Sequence, residues 1–221
     1  MFKPSPDART LVGEYILGGD IPVYVIDKLP EHVSLQHVLD KVDQIIPRPF
    51  LYEVEAVYVG QFEDFYKKDL NALFDNGAIY ITNHQDNNED FLDDFIHEIA
   101  HAVEVGFSPD IYGDQTIRDE FLGKRKRLYA LLAGEGYDVN YTDFLELGFS
   151  ETFDHFLYAE VGYPVLSTLT AGLFPTPYSV TSIREYFAVG FEKIFLGHPE
   201  DIKSNSPSVF RKISFLYKNY K

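Results

Sequence analysis

Three residues near the middle of the chain have the types and spacing of a zinc site. His97, Glu98 and His101 form an H-E-x-x-H motif, and in a helix the two histidines lie one turn apart on the same side. Because a zinc ion needs ligands that converge from one direction, this pair can supply two of them. Glu98 lies where it can take a proton from a water that the metal activates. The motif therefore predicts a zinc hydrolase with Glu98 as general base. The alternative is a surface helix with two solvated histidines.

The residues around the motif predict a helix that can carry it. Apolar residues recur at helical spacing on the side roughly opposite to the histidines: Leu92, Ile96, Ile99 and Val103. The polar residues 87–90 are suited to start this helix, Gly106 to end it and Pro109 to prevent its resumption. Asp94 precedes His97 by nearly one turn on the same side, and it is a candidate acceptor that would orient a ligand histidine.

The composition limits both the fold class and the partners. The chain has 221 residues, of which 45% are hydrophobic, and this predicts a folded protein rather than a disordered one. A formal net charge of −16 argues against nucleic acid and anionic membrane as partners. There is no cysteine, so any metal must be held by histidines and carboxylates.

The beginning of the chain lacks the pattern of a signal peptide, and no apolar run reaches transmembrane length. We therefore expect a soluble protein that is cytoplasmic by default, or that is delivered or exported by another route. The sequence does not indicate an oligomeric state.

A catalytic zinc site needs a third protein ligand, which the motif does not contain. The metzincin pattern would place glycine at 104 and histidine at 107, but the chain has Glu104 and Phe107, which excludes that subclass. Candidate donors further along the chain are Glu120, Glu151, His155, Glu160, Glu185 and Glu192. Glu120 lies near the place that a thermolysin-like arrangement would use. Glu185 follows Ser182 at the spacing of a capping box, in which its carboxylate would accept from a backbone N–H instead of binding a metal.

The segment around Glu185 resembles a known family. It reads Glu185-Tyr186-Phe187-Ala188, and Tyr178 precedes Glu185 by seven residues. Together with the H-E-x-x-H helix and the strand before it, this segment resembles the gluzincin-type metallopeptidases related to the catalytic domain of anthrax lethal factor and to the clostridial Pro-Pro endopeptidases. The resemblance implies a zinc-dependent endopeptidase with one Zn²⁺ held by His97, His101 and Glu185. It also implies that Tyr178 stabilises the transition state and that the substrate is a protein or peptide.

The chain departs from that family at several positions. The interval between the motif and Glu185 is longer than in those relatives, which indicates an insertion at about 107–172. Ala100 stands where many members have glycine, and Val189 stands where the lethal-factor-like motif has a second acid. A preference for cleavage beside proline therefore does not carry over to this chain.

An alternative function is a zinc-binding module on the same fold, without turnover, that binds peptides or has a structural role. The presence of Glu98, Tyr178 and all three candidate ligands favours the enzyme.

The predicted elements place these residues in an α+β, zincin-like fold with the active site in a cleft. We expect strands at 22–27, 51–60 and 78–82, and helices at 34–46, 62–74, 119–133, 164–172, 184–196 and 207–220, with part of 142–162 also helical. Residues 1–21 are expected to be a mobile arm that becomes ordered. We predict a single catalytic domain, made of a strand-containing part (1–106), a helical insertion (107–172) and a helical part with the third ligand (173–221).

The strand directly before the motif helix is the candidate substrate-binding strand, as an edge strand beside the metal can pair with an extended peptide. Its residues are Ala78, Ile79, Tyr80, Ile81 and Thr82. An interior strand is the alternative.

The basic run 124–127 (Lys-Arg-Lys-Arg) is the one feature that suggests nucleic-acid binding. In so acidic a chain such a run is more typical of one solvated helical turn, and we predict a solvated turn here.

Overall fold

A computed structural model describes residues 11–63, 65 and 70–221. They fall into two compact units: the first runs up to Gly106 and includes Asn219–Lys221, and the second is Phe107–Lys218. The first unit contains a five-stranded sheet, and the described elements of the second are helical. The α+β class is thus confirmed, whereas the single catalytic domain stays a prediction.

The sheet of the first unit mixes parallel and antiparallel pairs. Its strands are β1 (Gly13–Leu17), β2 (Ile21–Val25), β3 (Ala56–Gly60), β4 (Ala72–Asp75) and β5 (Ala78–Thr82), in the order β1-β2-β3-β5-β4. The three central strands are parallel, and β1 and β4 pair antiparallel at the two edges. The prediction of a mobile arm at 1–21 is therefore wrong for residues 13–17, which form β1 within the sheet. Residues 1–10 lie outside the described part.

The alternation of side chains along the central strands gives the sheet two different faces. Val23, Val57 and Ile79 are aligned across the strands and fully buried. The next aligned set, Tyr24, Tyr58 and Tyr80, stacks with ring centroids 5.4 and 5.3 Å apart and is half-buried. Helix α1 (Leu35–Ile45) begins as predicted, because the Ser34 side chain accepts from the N–H of His37.

A tight hairpin joins β4 to β5. Asn76 and Gly77 have φ values of 47° and 82°, the left-handed conformation that a two-residue turn of this kind requires. The turn was predicted, but the helix predicted over 62–74 is wrong at its end, since Ala72–Asp75 is a strand. Residues 64 and 66–69 of that helix lie outside the described residues.

The motif lies on α2 (Asn88–Tyr112). Its start is capped as expected, because the Asn87 side chain accepts from the N–H of Asp90 at 2.8 Å. The helix leaves helical geometry at Phe107 (φ −119°, ψ 19°), directly after Gly106, and then resumes. The prediction that Pro109 prevents resumption is wrong. A proline is tolerated in the first turn after a break, because the N–H groups of a first turn have no acceptor within the helix and the N–H that proline lacks is not needed there.

The second unit is built from helices and short turns. They are α3 (Thr116–Gly134), a 3₁₀ turn (Tyr141–Leu145), α4 (Glu151–His155), a π turn (Phe156–Val161), α5 (Tyr163–Thr170), a 3₁₀ turn (Tyr178–Val180), α6 (Ile183–Phe195), α7 (Pro199–Asn205) and α8 (Pro207–Tyr220). Helices α6 and α8 approach so closely at Gly190 that a Cβ there would lie 2.5 Å from Val209 Cγ1. Among the described residues, none of these helices combines the length and apolarity needed to cross a lipid bilayer.

Candidate metal centre

Three of the predicted metal ligands form a group that could hold a metal ion. His97, His101 and Glu185 each offer one ligand atom, and these atoms lie within 4.8 Å of one another. The rings of His97 and His101 are 5.1 Å apart between centroids and nearly perpendicular, at 79°. Within the described part of the chain, no other group of three or more histidine, aspartate or glutamate side chains meets this spacing.

These donors fit zinc, because zinc binds imidazole nitrogen and carboxylate oxygen as well as thiolate sulfur, and this chain has no cysteine.

His101 has a buried carboxylate partner that was not predicted from the sequence. Its Nδ1 lies 2.7 Å from Oε2 of Glu104, and both side chains are at most 10% exposed. Histidines that bind a metal commonly donate their other ring N–H to a carboxylate, which fixes the tautomer and the ring orientation. This pair makes Nε2 the candidate metal-binding nitrogen of His101. The i, i+3 spacing of 101 and 104 on a helix was the available signal.

Glu98, the predicted base, is buried and held by the edge of the sheet. Its Oε2 accepts from the backbone N–H of Phe74 at 2.5 Å. The residue as a whole is only 6% exposed. Since Phe74 lies in β4, the candidate base is hydrogen-bonded to that strand. No sequence signal indicated this contact, because it joins two residues that are distant along the chain.

Asp94, the predicted acceptor for a ligand histidine, accepts from Nε2 of Gln85 at 3.2 Å. Burial raises the pKa of Asp94 to about 6, and the charges of Glu98 and Asp93 also raise it, while the Gln85 hydrogen bond and His97 lower it. Its role toward His97 stays a prediction, whereas His101 is paired with a different carboxylate, that of Glu104.

Glu185 lies in the first turn of α6, and Tyr178 opens the 3₁₀ turn before that helix. The Ser182 hydroxyl accepts from the N–H of Glu185 at 3.1 Å, which is one half of the capping box considered above. The carboxylate of Glu185 belongs to the ligand group, so capping by Ser182 and metal binding are compatible. The Tyr178 side chain is 38% exposed, and its catalytic role stays a prediction.

Glu120, the thermolysin-like alternative for the third ligand, has other partners. Its carboxylate accepts from the Tyr186 hydroxyl at 2.7 Å and from the N–H of Ser208 at 2.9 Å. Burial, followed by the charge of Glu120, raises the pKa of Tyr186, which keeps its phenol protonated as the donor. Of the other candidates, Glu151, His155 and Glu160 are exposed, and Glu192 pairs with Lys193 at 3.2 Å.

The predicted substrate strand is not an edge strand. Residues 78–82 form β5 as expected, but β5 pairs with β3 on one side and with β4 on the other. Its backbone is therefore used on both sides, and the prediction that it pairs with a peptide as an edge strand is wrong. In the described sheet the edge next to β5 is β4, the strand that holds Glu98.

Two members of the basic run are also not solvated. Lys124 is 8% exposed and Arg125 is fully buried, so the predicted solvated turn is wrong for half of the run. Lys126 and Arg127 are exposed, as predicted.

No protein-family model, curated protein or solved structure matches this chain.

Proposed function

We propose that this protein is a zinc-dependent endopeptidase on a zincin-like fold, with His97, His101 and Glu185 as the zinc ligands. The carrying observation is the grouping of these three ligand atoms within 4.8 Å, with the general-base candidate Glu98 next to His97 in the same helix. Two imidazoles and one carboxylate are the donor set of a catalytic site that keeps a position for water. The similarity of the two motifs to the lethal-factor-like gluzincins supports the same assignment.

The roles of the side chains follow from this assignment. Zinc, when bound, supplies a Lewis acid that activates water and polarises the scissile carbonyl. Glu98 accepts the proton of the attacking water and later delivers a proton to the leaving amine. The Tyr178 hydroxyl donates a hydrogen bond to the carbonyl oxygen as negative charge develops there. Glu104 holds the ring of His101 in the orientation that presents Nε2 to the metal.

The proposed binding edge for the peptide is β4. Along an antiparallel strand, successive residues direct their backbone groups to opposite sides. Phe74 donates its N–H to Glu98 and not to β5, so Phe74 and Ala72 direct their backbone groups away from β5. An extended peptide can pair with Ala72 on this side, beside the base. This is the role that was predicted for residues 78–82.

A digest of a peptide library tests the proposal. We expect cleavage that is abolished by a chelator and restored by zinc, together with about one zinc ion per chain. Glu185→Ala should lose zinc, whereas Glu192→Ala, a matched change on the same helix, should retain it. Unchanged zinc content in Glu185→Ala would refute the ligand assignment. Bound zinc without cleavage of any peptide would favour the binding-module alternative.

A further inference from the structure

Arg125 is a fully buried cation in the middle of α3, within the predicted insertion 107–172. The Cζ atom of its guanidinium lies over the rings of Phe121 and Phe153, at 4.7 and 4.5 Å from their centroids. Burial lowers the pKa of Arg125 to about 10, and the charges of Glu146 and Asp143 oppose this shift, so the group stays protonated at neutral pH. A buried charge is costly unless its hydrogen bonds are made, so its partners indicate its role.

The partners are backbone carbonyl oxygens from two separate segments. Arg125 donates from Nε and Nη2 to Val180 O, at 2.9 and 2.6 Å, and from Nη2 to Thr181 O at 2.8 Å. From Nη1 it donates to Asp143 O at 3.1 Å and to Glu146 O at 2.5 Å. These five hydrogen bonds match the five N–H donors of a guanidinium. Arg125 therefore connects the loop 143–146, which starts within the 141–145 turn, to the segment 180–181.

The segment 180–181 stands between the two site residues of the second unit. On one side, Thr181 donates to Tyr178 O from both its N–H and its hydroxyl, at 3.0 and 2.9 Å. On the other side, Ser182 caps the helix that begins with Ile183 and carries Glu185. A displacement of 180–181 would thus move both Tyr178 and the start of α6.

The same loop of the insertion makes a second bond to this region. Ile183 donates its N–H to Leu147 O at 2.9 Å, one residue beyond the cap of α6. The first N–H groups of a helix have no partner within the helix, so this carbonyl completes its start. Residues 143–147 are consequently connected to the segment 178–183 in two ways. Arg125 bridges the two segments, and the N–H of Ile183 donates directly to Leu147 O.

We propose that Arg125 is a positioning residue of the metal centre, acting through the carbonyls of Val180 and Thr181 on Tyr178 and Glu185. This inference rests on the proposed function, because it assigns to the insertion the task of holding the third ligand and the transition-state tyrosine. The planar fork of a guanidinium sets four carbonyl oxygens in one geometry, which the ammonium of a lysine cannot do.

The test compares Arg125→Lys with Lys124→Met. Both changes affect buried cations on adjacent positions of α3, but Lys124 donates to Asn205 O and Ser206 Oγ rather than to the turn 178–182. We expect Arg125→Lys to weaken zinc binding, measured by chelator competition, by about 10-fold and to lower kcat by about 10–100-fold with little change in KM. Lys124→Met should lower the melting temperature but leave the zinc affinity and kcat of the folded protein unchanged.

Unaltered zinc affinity and kcat in Arg125→Lys would overturn the inference, as would equal losses in both variants. Hydrogen exchange of the backbone amides separates this outcome from a failure of the proposed function. Arg125→Lys should speed exchange at Thr181, Ile183 and Glu185, and Lys124→Met should not. A wild type without zinc or cleavage would refute the proposed function, and the exchange rates would still decide whether Arg125 fixes this turn.

Discussion

The pair of Glu104 and His101 allows a quantitative prediction for metal binding. Glu104→Gln keeps the size of the side chain but replaces an ionised acceptor by a neutral one, 2.7 Å from Nδ1 in a buried site. A hydrogen bond to a charged group contributes about 1.5–3 kcal/mol, and one between neutral groups about 0.5–1.5 kcal/mol. The difference, about 1–1.5 kcal/mol, corresponds to zinc binding that is weaker by about 10-fold.

The assay is a competition between the protein and a chelator of known affinity, at fixed pH and ionic strength. Glu89→Gln is the matched control, because Glu89 is exposed in the first turn of the same helix and its loss changes the net charge equally. An unchanged zinc affinity in Glu104→Gln would refute the argument. Equal weakening in both variants would attribute the effect to net charge rather than to the hydrogen bond.

The remaining predictions concern the base, the strand edge and a buried lysine. Glu98→Gln should keep zinc but lower kcat by at least about 100-fold, and full activity would refute Glu98 as the base. Ala72→Pro should raise KM with little loss of stability in urea. Leu73→Pro removes an N–H directed at β5 and should lower the urea midpoint of unfolding. A larger loss of stability in Ala72→Pro than in Leu73→Pro would refute the proposed edge. Burial lowers the pKa of Lys124 to about 8, from 10.5. Between pH 8 and 10.5 the unfolded chain therefore binds more protons at this lysine than the folded protein does. The stability of the wild type relative to Lys124→Met should rise by about 1.5 kcal/mol from pH 8 to 9.5. A constant difference would contradict this pKa.

The elements that were predictable from the sequence depend on local interactions. The start of α1 at Ser34 and the turn at Asn76-Gly77 follow from side-chain capping and from backbone conformations that few residues adopt. The H-E-x-x-H helix follows from periodic apolar residues on one side. In each of these elements the decisive partners are within four residues of one another.

The features that were missed depend on partners far along the chain. β4 is four residues long and half-buried throughout, so it lacks the alternation that indicates a strand. The interior position of β5 depends on the order of all five strands, which neighbouring residues do not determine. Arg125 is buried because the irregular turns at 143–146 and 180–181 leave carbonyl oxygens without helical partners, and its guanidinium donates to them. The residue pattern within 124–127 does not indicate that these distant carbonyl oxygens need a donor.

The bond between Phe74 and Glu98 connects the proposed base to the proposed binding edge. An edge strand leaves backbone N–H groups without a partner in the sheet, and at Phe74 the partner is the carboxylate of Glu98. Ala72 lies two residues earlier, about 7 Å along the strand, and directs its backbone groups to the same side. A peptide that pairs with Ala72 would therefore place its next residues beside Glu98, irrespective of the side chains of the peptide. The edge thus selects for an extended peptide backbone, and any preference among peptide side chains must come from residues outside β4.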